Sequence, residues 1–487
     1  MDIPRLMSTQ HPDNVTTPFF AKDYILRGED EVLEAYYSYS HLGIGEQMWD
    51  IEGKEVDNFV VEKLLTKFPH FFQQSKLGRD SRLTLRVPNP DVEKTEAKIL
   101  LEALESISRN YDIARAFYED NIPPIFEVIL PMTASAASLN RVYCYYRDFV
   151  AGKGDKRFFE GDIRISDWIG ELKPDTINVI PLIEDKKGML NAHHIVEEYL
   201  KDKQIDCQRV FLARSDPAMN YGLVSAVLLN KIALQNLWKL AERISVEIPP
   251  IIGVGSAPFR GNFKPTNIHN CLWEYPSVQT FTAQSAFKYD FAPGEVARAI
   301  EEINARKRSH PRYIGIDRSL DIIDRYSAQY SKEIKLLAPR INKLAGYVPS
   351  RRKRKLHIGL FGYSRSIDDV SLPRAITFCA ALYSIGLPPE ILGLSALRKK
   401  DIEYFDDVYV NFREDLRDSL RFFNPDVLEI VPTYLKDQIQ TSLKMDYETD
   451  EAHRQITSRI IHDLQRDKLQ NLEKDILEAA WHRKFLG

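Results

Sequence analysis

The chain has 487 residues, 44% of them hydrophobic and 28% charged, which is the balance of a soluble globular protein with a sizeable core. A net charge of −4 excludes a uniformly basic nucleic-acid binder. The four cysteines, Cys144, Cys207, Cys271 and Cys379, are far apart and form no CxxC pair, which argues against a zinc site or a disulfide scaffold and fits a reducing cytoplasm. No stretch approaches the ~18 continuous apolar residues of a membrane span. The first residues are polar and lack the apolar run of a secretory signal, so a cytoplasmic location is expected.

In chain order, the first informative stretch is Met7-Ser-Thr-Gln-His-Pro-Asp-Asn14, polar and without apolar periodicity. Pro12 steers His11 away from helical backbone, so His11 is expected in an extended or turn segment. Taken alone, Thr9, Asp13 or Asn14 would equally serve to cap a following helix. Val32, Leu33, Tyr36 and Tyr37 recur at helical spacing and predict a helix over 29–40. His41 to Lys54 is rich in glycine and acids and reads as a loop with an exposed Trp49-Asp50 pair. Seven β-type runs follow, at Leu83–Val87, Ile125–Leu130, Thr176–Ile183, Arg209–Ala213, Pro250–Val254, Val278–Thr282 and Leu356–Phe361. Helical patterns lie between them over 91–119, 220–243, 294–308 and 315–345, and from about 371 the chain is almost wholly helical. The basic run Arg351-Arg-Lys-Arg-Lys355 reads as a solvated turn.

Strand, polar loop and long helix repeat, and runs apolar on both faces are those of parallel strands covered by helices. An α/β fold is expected, a (β/α)8 TIM-type barrel with one strand unrecognised and additional helices in the C-terminal third; an open doubly wound sheet is the alternative. The expected organisation is one large domain: an N-terminal catalytic segment over 1–60, a barrel over about 80–370 and a helical region over about 371–487. Neither GxGxxG after a strand nor GxxxxGK[ST] occurs, so dinucleotide and P-loop motifs are lacking.

In such a barrel the active site lies at the C-terminal ends of the strands. Those ends carry Arg86, Thr133, Glu184, Arg214, Asp216, Arg260, Gln284 and Arg365. Two carboxylates suit Mg²⁺ or Mn²⁺, and several arginines pair with phosphate and carboxylate groups. Gly253, Gly255 and Gly261 let backbone approach a small anion. These residues by themselves describe a metal-dependent enzyme acting on a small phosphorylated or carboxylated substrate.

The pattern resembles the phosphoenolpyruvate carboxylases, in particular their short archaeal-type branch. Ser8-Thr-Gln-His-Pro-Asp-Asn14 is characteristic of that branch and resembles the Thr-Ala-His-Pro-Thr-Glu motif of the longer enzymes. Further likenesses follow in order: Met48–Lys54 to a Gly-Asp-Arg-Asp-Gly-Asn loop, Val179–Glu184 and Phe211–Asp216 to the metal-binding segments, Gly253–Gly261 to the arginine-rich catalytic loop, Thr282–Gln284 to a Thr-Glu-Gln element, and Tyr363–Arg365 with Leu372–Ile376 to a Gly-Ser-Arg-Pro loop and its helix. The resemblance implies a barrel, a homo-oligomer (commonly a homotetramer), Mg²⁺ or Mn²⁺, and carboxylation of phosphoenolpyruvate by bicarbonate to oxaloacetate and phosphate, an anaplerotic reaction. It implies His11 and Arg260 as catalytic, Glu184 and Asp216 as metal ligands, and Arg86, Arg214, Gly261, Gln284, Arg365 and Thr9 at the substrate. The loops around Asp50 and Arg365 are the candidates for closing the site against water.

This chain departs from the longer enzymes in places. Their His-Gly-Arg becomes Ile252-Gly253-Val254, and a lysine is missing after Asp216; Lys288 is the candidate for another arginine, the one after the Thr-Glu-Gln element, and Arg214 for part of the missing charge. The alternative reading is another metal-dependent barrel lyase or aldolase acting on a keto acid. No nucleic-acid or membrane partner is expected.

Overall fold

The structure, a computed structural model, describes residues 3–53, 57–354, 370–443 and 446–487, and the backbone of 365–367. Eight strands close a barrel in sequence order: β1 (Leu6–Ser8), β2 (Glu46–Asp50), β3 (Arg82–Arg86), β4 (Glu127–Leu130), β5 (Asn178–Ile183), β6 (Val210–Ala213), β7 (Pro250–Gly253) and β8 (Thr280–Ala283). Every pairing is parallel, and the seam joins β1 to β8 with Leu6 opposite Phe281 and Ser8 opposite Ala283. The (β/α)8 fold expected from the sequence is the fold of the chain.

Two strands differ from expectation. The opening polar segment contains β1, and the supposed loop at Glu46–Asp50 is β2, with Trp49 buried rather than exposed. The barrel therefore begins at Leu6 and its last strand ends at Ala283, instead of spanning about 80–370. β1 is too short to show a period. β2 hides because its inward side chains are polar. In register with β3, Glu46 and Asp50 face Arg82 and Arg86, so the usual polar-out alternation is inverted. The run Leu356–Phe361 lies outside the described residues, and the barrel closes without it.

The N-terminal end of the barrel is plugged by ions. Arg209 grips Glu46 through both terminal nitrogens at 2.8 and 2.7 Å and reaches Glu127 at 3.0 Å. Arg82 also donates to Glu127, and the Thr84 hydroxyl to Glu46. Removing one partner of this network would leave an uncompensated charge in the barrel interior.

Helices surround the barrel. Helix 223–244 is apolar nearly all round because helices 186–200 and 316–345 flank it. It is separated from helix 215–221 by Gly222 at φ 84°, where a Cβ would lie 2.4 Å from the Tyr326 ring. The C-terminal helices build a second apolar core around Leu337, Phe378, Leu382 and Ile460. Ala218, Met219, Ala257 and Phe259 from the loops after β6 and β7 belong to that same core, so the C-terminal region sits over the C-terminal mouth of the barrel. Among the described residues no single helix is long and apolar enough to cross a membrane.

Candidate active site

Every strand delivers a residue to one cleft at that mouth. His11 follows β1, Glu52 follows β2, Arg86 ends β3, Met132 follows β4, Glu184 follows β5, Asp216 follows β6, Arg260 lies after β7 and Gln284 after β8. Arg354 and Arg374 join them from beyond the barrel. A second cleft lies outside the barrel wall, between β2–β3 and helices 60–67 and 97–118, and holds none of these groups. The chemistry therefore singles out the first cleft.

β1 explains how His11 arrives. The Thr9 amide continues the seam by donating to the Ala283 carbonyl at 3.1 Å, and Pro12 keeps His11 out of helical backbone. His11 Nδ1 lies 2.6 Å from Thr9 Oγ1. In the tautomer with Nδ1–H donated to Thr9, Nε2 keeps its lone pair as a base. Thr9 itself is buried behind His11 and is absent from the cleft wall, so its side chain positions the imidazole.

Arg86 is clamped by its register neighbour. Its Nε and Nη2 donate to the two Asp50 oxygens at 2.7 and 2.6 Å, and Glu52 lies 3.3 Å from Nε. Burial works against the guanidinium charge, but Asp50 and Glu52 more than offset it and raise the pKa. Asp50 is a fully buried strand residue whose amide donates to Gln10 Oε1 at 2.7 Å, so it belongs to the fixed wall and not to a closing loop.

Arg260 is buried, and each of its three nitrogens holds one partner. Nε donates to Ser215 Oγ at 3.2 Å, Nη2 to Gln284 Oε1 at 2.8 Å and Nη1 to the Gly487 carbonyl at 2.6 Å. Burial lowers its pKa, and the nearby Asp13 carboxylate opposes that. Asp13 is itself pushed up by burial, against the pull of Arg260 and Lys288. Asp13 belongs to the opening motif, but nothing in the sequence pairs it, or Gly487, with Arg260; only the fold brings them there.

Glu184 and Asp216 stand at the ends of neighbouring strands. Glu184 Oε2 accepts the Met132 amide at 2.7 Å, which orients it. Among the described residues no three His, Cys, Asp or Glu side chains gather as a metal cage. Two hard carboxylates beside an open cleft nevertheless suit Mg²⁺, which keeps waters and substrate oxygens in its remaining positions.

The remaining expectations are redistributed. Arg214 lines the cleft as expected, but it is buried and donates Nε to Tyr275 and Nη1 to the Phe259 carbonyl, which ties down the loop carrying Arg260. Gly261 does not line the cleft; at φ 121° it turns the chain where a Cβ would meet Val254 at 2.8 Å. Lys288 does not face the cleft either; it donates to the Thr9 carbonyl at 2.7 Å and to Glu34 at 2.8 Å. Arg365 lies in a two-stranded antiparallel sheet, Arg365–Ile367 with Val370–Leu372, and its side chain lies outside the described residues.

The basic run is the main correction. Arg351 and Arg352 are buried, not solvated. Arg352 binds Glu34 through two nitrogens, each at 2.8 Å. Burial pushes the Glu34 carboxyl up, but Arg352 and Lys288 overcome it and hold its pKa at about 2. Arg354 lines the cleft, its pKa brought down to about 10 by burial and by the neighbouring Arg374. Arg354 and Arg374 thus add two cations to the cleft beyond those carried by the strand ends.

Comparison with known proteins gives one consistent result. A match to the family described as phosphoenolpyruvate carboxylase spans residues 3–487. The phosphoenolpyruvate carboxylase of Methanothermobacter thermautotrophicus is 55% identical over 487 residues, covering all of both chains. That of Methanospirillum hungatei is 54% identical over 489 aligned positions, and that of Pyrococcus abyssi 50% over 485, again covering both chains entirely.

Proposed function

The chain belongs to the phosphoenolpyruvate carboxylase family, and on that premise we propose that it carboxylates phosphoenolpyruvate with bicarbonate, giving oxaloacetate and phosphate. The observation that carries this reading is the cleft itself, where a Thr9-supported His11, a buried Arg260 and two adjacent carboxylates converge from separate strands.

Arg86, Arg354 and Arg374 receive the phosphate. A bicarbonate oxygen attacks phosphorus and the bond to the enol oxygen breaks, leaving carboxyphosphate and the enolate of pyruvate. Glu184 and Asp216 would hold Mg²⁺ or Mn²⁺, which when bound supplies positive charge for the developing enolate oxygen. His11 Nε2 takes the carboxyl proton, and carboxyphosphate collapses to CO₂ and phosphate. Arg260, fixed by Ser215, Gln284 and Gly487, holds the carboxyl group beside the enolate, whose carbon then attacks CO₂. Water is kept out, because protonation of the enolate yields pyruvate. The turn carrying Arg365 is our candidate for the moving cover.

We place the enzyme in the cytoplasm, in anaplerotic supply of four-carbon acids, as a homo-oligomer of tetrameric type. The test is a coupled assay of purified protein with phosphoenolpyruvate, bicarbonate and Mg²⁺, following NADH oxidation through malate dehydrogenase. Bicarbonate-dependent oxaloacetate is expected. Consumption of a keto acid without bicarbonate would point instead to a lyase or aldolase.

A further inference from the structure

Large exposed apolar side chains are concentrated in one place. Six of the fifteen among the described residues, Phe149, Phe158, Phe159, Ile163, Trp168 and Ile169, fall within 149–169. Phe159 and Trp168 are 68% and 69% exposed. Scattered single residues of this kind need no explanation, but a cluster does.

The segment is an ordered arm. It leaves helix 136–144, continues as a π-helix over Tyr145–Ala151 and a 3-10 helix over Gly152–Asp155, forms a small hairpin in which Arg157 bridges Arg164, and ends in helix 165–169 before β5 begins at Asn178. The Ile165 amide donates to the Lys156 carbonyl at 2.8 Å, and the Arg164 amide to Asp167 at 2.9 Å. Phe158 and Trp168 pack edge to face at 5.3 Å. The arm is thus held in shape by its own contacts while its aromatic rings point away from the core. Because it connects the end of a barrel helix to the start of β5, it lies at the N-terminal end of the barrel, opposite the active-site cleft.

We propose that this arm is a self-association surface, covered by the same arm of a second copy of the chain. The proposal rests on the homo-oligomer reading above and gives it a location. Area supports it: at roughly 100–150 Å² of exposed side chain each, the six residues offer about 700 Å², close to the ~800 Å² per partner of a stable interface. Charge supports a like partner too. Between 155 and 167 there are three basic residues (Lys156, Arg157, Arg164) and four acidic ones (Asp155, Glu160, Asp162, Asp167). With both signs present in near-equal number, the rim carries the charges that a self-complementary, isologous contact needs. The position of the arm leaves the cleft of each copy open to substrate.

The experiment is sedimentation velocity and light scattering on wild type, Trp168→Glu and Phe159→Glu, with circular dichroism as a check of fold. The wild type is expected to be assembled, and each variant to fall to half the wild-type mass with an unchanged spectrum. An assembled wild type whose folded variants keep the full mass overturns the arm and leaves the homo-oligomer reading standing, the patch then facing some other partner. A monomeric wild type at micromolar concentration overturns both. Should either substitution disturb the spectrum, Ile163→Asp is measured in its place, with the same two outcomes.

Discussion

Arg260 Nη1 donates to the Gly487 carbonyl at 2.6 Å, joining the loop after β7 to a residue more than two hundred positions further along the chain. Gly487 has no room for a side chain: a Cβ would lie 1.9 Å from the Ile376 carbonyl and 2.7 Å from the Ala380 amide. Gly487→Ala is therefore expected to displace this carbonyl and release Arg260. A charge-assisted hydrogen bond of about 1.5–3 kcal/mol corresponds to roughly ten- to hundredfold in rate. Steady-state kinetics should show that loss in kcat, with the KM for phosphoenolpyruvate changed less; an unaltered kcat would remove Gly487 from the site.

His11→Asn should separate the two halves of the reaction. The phosphoryl transfer does not need the base, whereas proton removal from carboxyphosphate does. Oxaloacetate formation should fall by about 10²–10⁴, the usual worth of a general base. Bicarbonate-dependent release of phosphate and pyruvate should persist. Quantifying the three products in one reaction checks this, and a variant that loses all of them equally would contradict the assigned role.

Glu184→Ala should weaken metal affinity without unfolding the barrel, since Glu184 stands at the cleft mouth just past the end of β5 and outside the apolar core. Titration with Mn²⁺, followed by paramagnetic resonance of the free ion, should show a lower affinity than wild type. Asp216→Ala should behave alike. Unchanged binding in either variant would take that carboxylate off the ligand list.

The C-terminal core carries a pH dependence of stability. Burial raises the Glu390 carboxyl to about 8, with the Tyr383 hydroxyl donating to it at 2.6 Å. Burial likewise raises Asp415 to about 7, beside Tyr409 and Asn262. Between the unfolded pKa of 4.5 and the folded value near 8, the folded chain keeps the Glu390 proton that the unfolded chain has lost. Stability must then fall as pH rises through that window, at up to about 1.4 kcal/mol per pH unit for each such group, and level off above it. Denaturant midpoints should be lower at pH 8 than at pH 5, and Glu390→Gln should narrow the gap. An equal gap in wild type and variant would show that Glu390 is not its source.

The sequence carried most of the scaffold and a good part of the site, for identifiable reasons. β3 to β8 are legible because strands covered by helices read as apolar runs. The strand ends then yield Arg86, Glu184, Asp216, Arg260 and Gln284, all of which line the cleft. β1 and β2 escape because one is three residues long and the other turns Glu46 and Asp50 inward. Recognising His11 required a motif, since nothing in the local pattern reveals that it ends a barrel strand. Arg352 and Arg354 were hidden by composition. A cluster of like charges reads as solvated until Glu31 and Glu34, more than three hundred positions earlier, are seen to face it. Asp13 is visible as part of the opening motif, but its pairing with Arg260, like that of Gly487, is hidden because Arg260 is distant in sequence.

The seam between β1 and β8 also has a meaning in time. Leu6 pairs with Phe281, so the first strand to leave the ribosome has its final partner only when the eighth has been made. At about 5–20 residues per second, that delay is on the order of tens of seconds. Until then β1 has an unsatisfied edge, and the loop to be closed is nearly the whole barrel, the slowest kind of contact to form. Because His11 lies just past that seam, its placement follows barrel closure. A nascent or truncated chain lacking β8 would carry every atom of the N-terminal motif and still have no base in position.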